Sequence, residues 1–600
     1  MSNIRRVTTV AALIALLSCT VFPKAINGRD LIKTEDLKEW LSYLASDDLE
    51  GRNTYTEGLG LAAAYIAEHL KSWGVKPAGD HGLYFQRVKV LGIKAVNRSS
   101  VTVEANGQTR TFNDGAGISF PRNVGGKRTF TSDQIEFMGY GLDAPLAKHN
   151  DYEGKDVKGK VVIWLGARGP KGLDVRTYGR ALRGRNRFAT DQLGAVAGIG
   201  PEGGVGQGGR GGNQQQANQQ QPNQQQPNQP QANQPASENQ GGNQRPGNQG
   251  GGQAGAQERP DFTTVQRLDS PIPPTVSAQD DFLEFLFSGS DIKYAELKAK
   301  AAEQDVLPKF TLKNIRITFN LDADYQVINT QYTRNVIGVV EGSDPRLKDT
   351  YVAFGAHYDH VGYAEGEVAQ GPNGPRRIGA RGGVKPNAIE DRIWNGADDD
   401  GSGTVTLLSV AKAFATGTKP KRSLLFVWHA GEEKGLLGSR YYADYPTIPI
   451  EKIVAQINMD MVGRNRDDKT EEANTLYLVG SDRISTELHN LTIDANTALS
   501  NPLKLDFEMN DPADLEQVYY RSDHYSYAAK GIPIVFFTTG LHPDYHFNTD
   551  SVEKINFEKM TKVAQLTYET GQRVANLDHA PVRDNKGPRV GKGSEGKIKA

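Results

Sequence analysis

Apolar runs alternate with helical segments along the second half of the chain. Runs of mainly apolar residues, rich in branched and aromatic side chains, occupy positions 351–355, 423–428, 453–459, 475–479 and 532–537. Helical spacing of apolar residues is found over 403–415, 436–443, 484–495 and 552–574. A run that is apolar at most positions, without polar alternation, indicates a strand buried on both faces, and the alternation of such strands with helices is typical of an α/β fold. We therefore predict a mixed, largely parallel central sheet covered by helices on both faces.

The beginning of the chain adds two helices to this α/β domain. The segment TEDLKEWLSYLA at 34–45 repeats its apolar residues on one face, and a second helix over 56–73 stops at Gly74. We assign residues 31–100 to an N-terminal segment of the main domain and residues 307–576 to the remainder of that domain. Residues 577–600, rich in Gly, Lys and Pro, are predicted to be a loose tail.

A different pattern begins at residue 101 and continues to about residue 306. Its strands are short and separated by glycine turns, and VTVEANGQTRTF predicts a hairpin that turns at Asn106-Gly107. We predict a small inserted β-rich domain over 101–306. A tract rich in Gln, Asn, Gly and Pro interrupts it at 203–259 and has little to bury, which predicts a disordered loop. The functional alternative for this tract is a spacer or an adhesive segment.

The first residues have the features of an export signal. Arg5 and Arg6 precede an apolar run at 10–17 that is too short to span a bilayer. The sequence LLSC, which ends at Cys19, resembles a lipobox, so residues 1–18 would be removed and Cys19 would carry a lipid anchor. The alternative is an ordinary signal peptide that ends at about residue 26. Either reading predicts an exported protein that is periplasmic, membrane-anchored or secreted.

Charge and cysteine content limit which partners and which kinds of metal site are expected. Acidic and basic residues nearly cancel, with a net charge of -1, so no basic surface argues for nucleic acid as a partner. Cys19 is the only cysteine, which excludes disulfide bonds within the chain and thiolate metal sites. Any metal site must therefore use His, Asp and Glu, as hydrolytic zinc sites do.

Metal-binding residue types follow several of the predicted strands. They are His357 and Asp359, the triplet Asp398 to Asp400, the pair Glu432 and Glu433, Asp460, and later His546. The carboxyl ends of strands in an open α/β sheet form the usual binding edge. Two cations that share one carboxylate need about five protein ligands, and His357, Asp399, Glu433, Asp460 and His546 supply that number.

These motifs resemble those of a known family. HYD, NGADDDGSG, HAGEEKGLLGS, NMDM and DYHFNTD are similar to the motifs of M28 zinc aminopeptidases, and LEGR at 49–52 and SDHYSYAAKGIPIVFF extend the resemblance. The resemblance implies a zinc exopeptidase fold, and the inserted unit resembles a protease-associated (PA) domain. It also implies two zinc ions per chain: His357 and Asp460 on one, Glu433 and His546 on the other, and Asp399 as the bridge.

The resemblance also assigns roles around the metals. Glu432 would be the general base, and the side chain of Asp359 would orient the ring of His357. Tyr545 either polarises the substrate carbonyl, as an equivalent residue does in some relatives, or packs only. The family also implies a cis peptide at Asp399-Asp400. Structural roles are expected for His360, His429 and His542, while His524 either lines the pocket or caps a helix.

The sequence therefore predicts an exported dizinc aminopeptidase acting on peptides with a free N-terminus. Glycines flank the Glu432-Glu433 pair and permit the bend that both side chains need to converge. The loop over 364–392 is predicted to border the cleft. The alternatives are another M28 activity, either a carboxypeptidase or a single-zinc glutaminyl cyclase, and a non-catalytic binding or adhesion protein. Oligomeric state is not predicted.

Overall fold

The computed structural model describes residues 27–202, 258–371 and 374–587. The predicted export signal, including Cys19, lies outside the described residues. So do nearly all of the Gln/Asn-rich tract and the last thirteen residues of the predicted tail, 588–600. Within the described ranges, no helix is both long and apolar enough to cross a bilayer.

The main sheet contains ten strands. In order across the sheet they are Phe262–Thr264, Phe85–Asn97, Ala323–Val340, Ser423–His429, Tyr351–His357, Ile453–Met459, Ile534–Thr538, Thr475–Val479 and Lys504–Asp506, with Lys76–Pro77 paired to Ala323–Val340. The four strands from Ser423–His429 to Ile534–Thr538 run parallel, and antiparallel pairs flank them. The prediction of a mixed sheet is confirmed, with the parallel part at its centre.

Helices cover both faces of this sheet, as predicted. The longer helices are Thr34–Leu44, Glu57–Ser72, Gly403–Thr416, Leu437–Asp444, Thr486–Thr497 and Phe557–Asn576, and a short one is His524–Ala528. In strand Ser423–His429, Leu424 and Phe426 pack in one core cluster, while Leu425 and Val427 pack in another. A strand needs apolar residues at every position when it is buried on both faces, which explains the continuous apolar run in the sequence.

The remaining main-domain elements are short. Helical turns are found at Gly28–Leu31, Asp47–Arg52, Asp80–Gly82, Ile450–Lys452, Arg466–Asp468, Thr470–Glu472, Glu508–Asn510, Val518–Tyr520 and Val552–Lys554. Two small ribbons pair Gly362–Tyr363 with Ile393–Trp394 and Val368–Gly371 with Gly374–Arg377.

A second sheet, also of ten strands, has its own core. Its order is Lys309–Thr311, Ile135–Met138, Val161–Ile163, Ala197–Pro201, Thr275–Ala278, Gly117–Ser119, Gln108–Asp114, Ser100–Ala105, Ile315–Leu321 and Arg128–Ser132. Helices Gly179–Arg183, Arg185–Arg187, Asp280–Leu286 and Tyr294–Ala302, the turns Pro145–Ala147 and Phe188–Gln192, and the ribbon Asp143–Ala144 with His149–Asn150 belong to the same part of the chain. The predicted hairpin is present, and Asn106 and Gly107 adopt the positive φ values of 51° and 73° that its tight turn requires.

The second sheet does not end where we predicted. Lys309–Thr311 and Ile315–Leu321, which lie beyond residue 306, pair within it, and Ile315, Ile317 and Phe319 enter its core. Conversely, Phe262–Thr264 leaves it to pair with Phe85–Asn97 of the main sheet. The alternating pattern predicts that a strand exists, but it does not indicate which sheet the strand joins. The resemblance of this unit to a PA domain stays a prediction.

Candidate metal centre

The predicted donor residues lie at the carboxyl edge of the parallel strands. His357 is the last residue of Tyr351–His357, and it is aligned with His429, the last residue of the neighbouring strand. Glu432 and Glu433 follow that second strand, and Asp460 follows Ile453–Met459. Because adjacent parallel strands end at the same edge, three separate stretches of sequence meet there.

A tight turn presents Asp399 between these strand ends. The peptide Asp399-Asp400 is cis, as the resemblance implied. The Asp400 carboxylate accepts hydrogen bonds from the backbone N–H of Gly403 at 2.9 Å and of His357 at 3.0 Å. Asp550 accepts from the N–H of Asp399 at 3.1 Å. The Asp400 side chain therefore joins the turn to the sheet, and the Asp399 side chain remains available for contacts with the neighbouring donors.

The two oxygen atoms of Asp399 face different histidines. Oδ1 lies 3.3 Å from Nε2 of His357, and Oδ2 lies 3.0 Å from Nε2 of His546. On the first side Asp460 Oδ2 is 3.6 Å from His357 Nε2, and on the second Glu433 Oε1 is 3.1 Å from His546 Nε2. The side chains of all five predicted donors therefore lie close together, in the two groups that the family resemblance implied.

The donor set fits divalent cations. The atoms of His357, Asp399 and Asp460 lie within 4.8 Å of one another, and so do those of His360, Asp399 and Glu433. His357 Nε2 is buried and makes no hydrogen bond with the described residues. Buried polar atoms without partners are rare because they lose hydration without compensation, and a bound cation supplies that compensation. Imidazole and carboxylate donors in this arrangement suit zinc.

His360 belongs to this cluster, contrary to the structural role we expected. Its Nδ1 lies 3.1 Å from Glu433 Oε1 and 3.7 Å from Asp399 Oδ2. Neither ring nitrogen makes a hydrogen bond with the described residues, although the side chain is fully buried. The sequence offered one indication of this, because His360 directly follows HYD, beyond the end of the strand. The chain turns there, so neighbouring side chains no longer point to opposite faces of a sheet.

His429, His542 and His524 contact other protein groups and not the donor cluster. His429 Nε2 contacts the Tyr527 hydroxyl at 3.0 Å, and His542 Nε2 lies 3.4 Å from Asp398. His524 contacts the carbonyl oxygen of Tyr519 at 2.8 Å and begins a short helix, so it does not line the cluster. Burial lowers the pKa of His429 and of His524 to about 3, which keeps both rings neutral.

The Glu432-Glu433 pair is presented by the predicted bend. Gly431 and Gly435 have φ values of +75° and +98°, which only glycine adopts without strain. Glu432 Oε2 lies 3.9 Å from His357 Nε2. Burial raises the pKa of Glu432 well above its usual range; the charge of His357 opposes this rise, and the charges of Glu433 and Asp460 add to it.

Asp359 supports the cluster through a different atom than we predicted. The ring Nδ1 of His357 is 3.0 Å from the backbone carbonyl oxygen of Asp359 but 3.7 Å from its carboxylate. The carboxylate accepts instead from the backbone N–H of Glu432 at 3.1 Å and from the Thr54 hydroxyl at 2.9 Å. The turn after the strand brings the carbonyl group to the ring, while the side chain holds the Glu432 loop.

Tyr545 packs beside the cluster, and its hydroxyl is already bound. Its ring is stacked on that of His546 with centroids 3.9 Å apart, and its hydroxyl accepts a hydrogen bond from Arg521 Nη2 at 3.1 Å. Burial raises the pKa of Tyr545, so the hydroxyl keeps its proton at neutral pH. This geometry leaves both predicted roles open.

Two peripheral segments contact the donor residues. The N–H of Gly383 donates to the carbonyl oxygen of His546 at 2.8 Å, and Arg381 Nη2 donates to that of Glu433 at 2.8 Å, so the 364–392 loop borders the site. From LEGR, Arg52 is buried and donates to the carbonyl oxygens of Leu44, Tyr358, Asn395 and Gly396. Burial lowers its pKa to about 10, with opposition from Asp359 and Asp400. Arg52 therefore ties the N-terminal segment to the turns that carry the donors.

The donor carboxylates also create a strongly negative electrostatic environment. Burial disfavours protonation of His546, but Glu433 and Asp399 outweigh it and raise its pKa to about 10. Burial opposes protonation of His357 as well, and Asp460 and Glu432 outweigh it in the same way. A divalent cation would relieve this excess of negative charge and displace the ring protons.

The chain is similar to several known proteins. Residues 335–570 match the model of Peptidase family M28. A probable leucine aminopeptidase of Arthroderma benhamiae is 30% identical over 180 residues, which cover 28% of this chain and 46% of that protein. Aminopeptidase Y of Saccharomyces cerevisiae is 29% identical over 255 residues, which cover 42% of this chain and 38% of that protein. The solved aminopeptidase from Aneurinibacillus sp. strain AM-1 gives a TM-score of 0.39 at 18% identity, covering 93% of this chain and 99% of that one.

The α/β fold brings histidine and carboxylate side chains into one buried cluster. The residues that match the Peptidase family M28 model include all five predicted donors, and the resemblance read from the motifs is confirmed. The chain spans less than half the length of the two relatives, 46% and 38% respectively.

Proposed function

We propose that this chain is an exported dizinc aminopeptidase that hydrolyses the N-terminal peptide bond of peptides. The observation that carries the proposal is the division of the Asp399 carboxylate between two donor groups, with Oδ1 toward His357 and Oδ2 toward His546. A shared carboxylate is what a pair of cations about 3.5–4 Å apart requires. The names of the two relatives as aminopeptidases support the same reaction.

Each metal position has its own protein donors in this proposal. His357 and Asp460 would hold one zinc ion, Glu433 and His546 would hold the other, and Asp399 would be shared between them. His360 is a further donor at the second position, because its Nδ1 is as close to Glu433 Oε1 as His546 Nε2 is, at 3.1 Å. When bound, the ions would polarise the scissile carbonyl group and lower the pKa of a water molecule.

The protein side chains carry the proton and orient the reacting groups. Glu432 would accept the proton of the attacking water and deliver it to the leaving amine. The hydrogen bond from the Glu432 N–H to Asp359 fixes the loop from which that carboxylate projects. Tyr545 either donates its hydroxyl to the developing oxyanion or positions Arg521 and His546 by packing.

An aminopeptidase, a carboxypeptidase and a glutaminyl cyclase differ in the substrates that they accept. An aminopeptidase requires a free α-amine, so N-terminally acetylated peptides should resist cleavage, whereas a carboxypeptidase would cleave them. A glutaminyl cyclase would cyclise N-terminal Gln peptides and hold about one zinc ion per chain. The donors for two positions favour the aminopeptidase over the cyclase.

A metal-replete assay on a panel of aminoacyl-nitroanilides, with and without chelator, tests the function. Hydrolysis that disappears with chelator and returns with zinc supports the proposal, together with about two zinc ions per chain by elemental analysis. Cleavage of acetylated peptides from their C-terminus, or cyclisation with one zinc ion per chain, would replace it with the corresponding alternative. No turnover of any peptide would favour the binding or adhesion protein.

Domain organisation and location belong to the same proposal. The catalytic domain would combine the N-terminal helices and the strand Phe85–Asn97 with the chain from Ala323 onward, and the second sheet would be an insertion between them. Export would follow from the signal predicted over residues 1–18, with Cys19 as a lipid anchor, or from an ordinary signal peptide.

A further inference from the structure

An arginine from the second sheet's part of the chain contacts the main domain close to the candidate metal centre. Arg180, in helix Gly179–Arg183, lies 3.2 Å from Glu516 Oε2. Arg521 Nη1 donates a hydrogen bond to the same oxygen at 2.8 Å. One carboxylate oxygen therefore links an arginine of the second sheet's part of the chain to an arginine of the main domain.

Arg521 extends this set of contacts to Tyr545. Its other terminal nitrogen, Nη2, donates to the Tyr545 hydroxyl at 3.1 Å, and the Tyr545 ring is stacked on His546 with centroids 3.9 Å apart. Because Nη1 and Nη2 belong to one rigid planar group, the position of Glu516 fixes the direction in which Nη2 points. Arg180 is therefore linked to a proposed metal ligand through three side chains.

The two guanidinium groups are largely shielded from water. The side chain of Arg180 is 10% exposed, and that of Arg521 is 12% exposed. Charges that are out of water attract one another more strongly and are screened less by salt than charges on the surface. Glu516 lies between two such cations, so its carboxylate should move toward Arg521 if Arg180 is removed, and the Arg521 guanidinium should move with it.

The same helical segment, residues 179–192, also contacts the residue after Glu516. Arg187 Nη2 donates to the side-chain oxygen of Gln517 at 2.9 Å. The backbone of Gln517 has a φ of +50°, which is uncommon for a residue other than glycine and persists where surrounding contacts hold it. Two arginines of the segment therefore hold two successive residues of the loop that leads to Arg521.

We propose that Arg180 is a positioning residue for Tyr545 at the candidate metal centre. Through Glu516 and Arg521, it holds the Tyr545 hydroxyl where the hydroxyl can donate to the oxyanion that develops on the substrate carbonyl group. A hydroxyl whose oxygen accepts one hydrogen bond still has its own proton to donate. The inference rests on the proposed aminopeptidase function and adds to it a contribution of the second sheet's part of the chain to catalysis.

The kinetics of Arg180 and Tyr545 variants on Leu-nitroanilide test the inference. Tyr545→Phe removes the hydroxyl, so kcat should fall by about 10²–10³-fold, as when one oxyanion donor is deleted. Arg180→Gln displaces the hydroxyl without removing it, so kcat should fall by about tenfold. KM should stay within about twofold in both variants, because the lost interaction is made only in the transition state. In the double variant, Arg180→Gln should add no further loss, since the hydroxyl that it displaces is already absent.

A matched control comes from the same helical segment. Gln192 accepts a hydrogen bond from Arg483 Nη1 at 2.8 Å, so Gln192→Ala also removes one contact between the segment and the main domain. That contact does not involve Glu516 or Arg521, and kcat of Gln192→Ala should stay within about twofold of the wild-type value. The zinc content of all these variants should equal that of the wild type, because none of them replaces a proposed ligand.

Three results would overturn the inference: an unchanged kcat in Arg180→Gln or in Tyr545→Phe, an equal loss in Gln192→Ala, or an Arg180→Gln effect that persists in full when Tyr545 is already Phe. If Arg180→Gln fails to fold, Glu516→Asp takes its place with the same expectations, because it keeps the charge but shortens the side chain by one methylene group. Failure of the proposed function would look different, because the wild type would then hydrolyse no nitroanilide.

Discussion

The Oδ2 atom of Asp399 lies 3.0 Å from Nε2 of His546, although the two residues belong to different loops far apart in the sequence. Asp399 sits in the cis turn before helix Gly403–Thr416, and His546 follows strand Ile534–Thr538. Their contact brings the distal end of the domain to the central strands, where the other donors already lie. In the proposed dizinc site, this contact would bring His546 to the second metal position.

Replacing Glu432 should lower the catalytic rate and leave metal binding unchanged. Glu432→Gln keeps the size of the side chain but cannot take a proton, so kcat should fall on the order of 10²–10⁴-fold. Metal content by elemental analysis should stay at the wild-type value, because Glu432 is not among the proposed ligands. Glu451→Gln, in an exposed turn, is the control. Full activity in Glu432→Gln would refute the assignment of the base.

The two imidazoles of the second position should both be needed for tight binding. His546→Ala and His360→Ala should each lower zinc affinity at that position by more than about tenfold, since even indirect partners of a metal ligand contribute 10–100-fold. Zinc retained after dialysis against graded chelator measures this without any assay of activity. His579→Gln serves as the control because His579 is 57% exposed. Unchanged retention in His360→Ala would remove His360 from the ligand set and leave it as packing.

Arg52 should contribute strongly to stability. Arg52→Met leaves four backbone carbonyl oxygens without their donor in a buried region, and we expect the free energy of unfolding to drop by about 3–5 kcal/mol. Urea unfolding followed by fluorescence measures the change. Arg346→Met, at an exposed site, should shift the midpoint hardly at all. Equal midpoints for both variants would contradict the anchoring role of Arg52.

The Gln/Asn-rich tract should be dispensable for catalysis. The flanking chain is held independently, since Glu202 N donates to Ala278 O at 2.9 Å and Asp261 N donates to Ile93 O at 2.7 Å. Replacing residues 203–257 with a long Gly-Ser linker should therefore leave kcat/KM within about twofold. A loss of hydrolysis in this variant, with its melting temperature unchanged, would contradict the prediction and show that the tract takes part in catalysis.

Much of the fold was predictable from local patterns. Apolar runs such as 423–428 indicated strands buried on both faces, and Asn106-Gly107 indicated a tight hairpin turn; the structure contains both. The end of the second sheet was not predictable, because Ile315–Leu321 and Ala323–Val340 are separated by one residue and have similar patterns. Pairing partners decide between the two sheets, and a single sequence does not contain them.

The sequence by itself determined the chemistry of the donors and the strand ends that carry them. Side chains that follow buried parallel strands must emerge at one edge, so His357, Glu433 and Asp460 could be grouped in advance. Only the tertiary structure decided which atoms meet. It placed His360 in the cluster. It also placed the backbone carbonyl group of Asp359, not its carboxylate, beside the ring of His357. It also brought Arg180 and Arg521, from two distant parts of the chain, to the same carboxylate of Glu516. Those outcomes depend on turn geometry and on packing between distant segments, and neither is encoded in a local pattern.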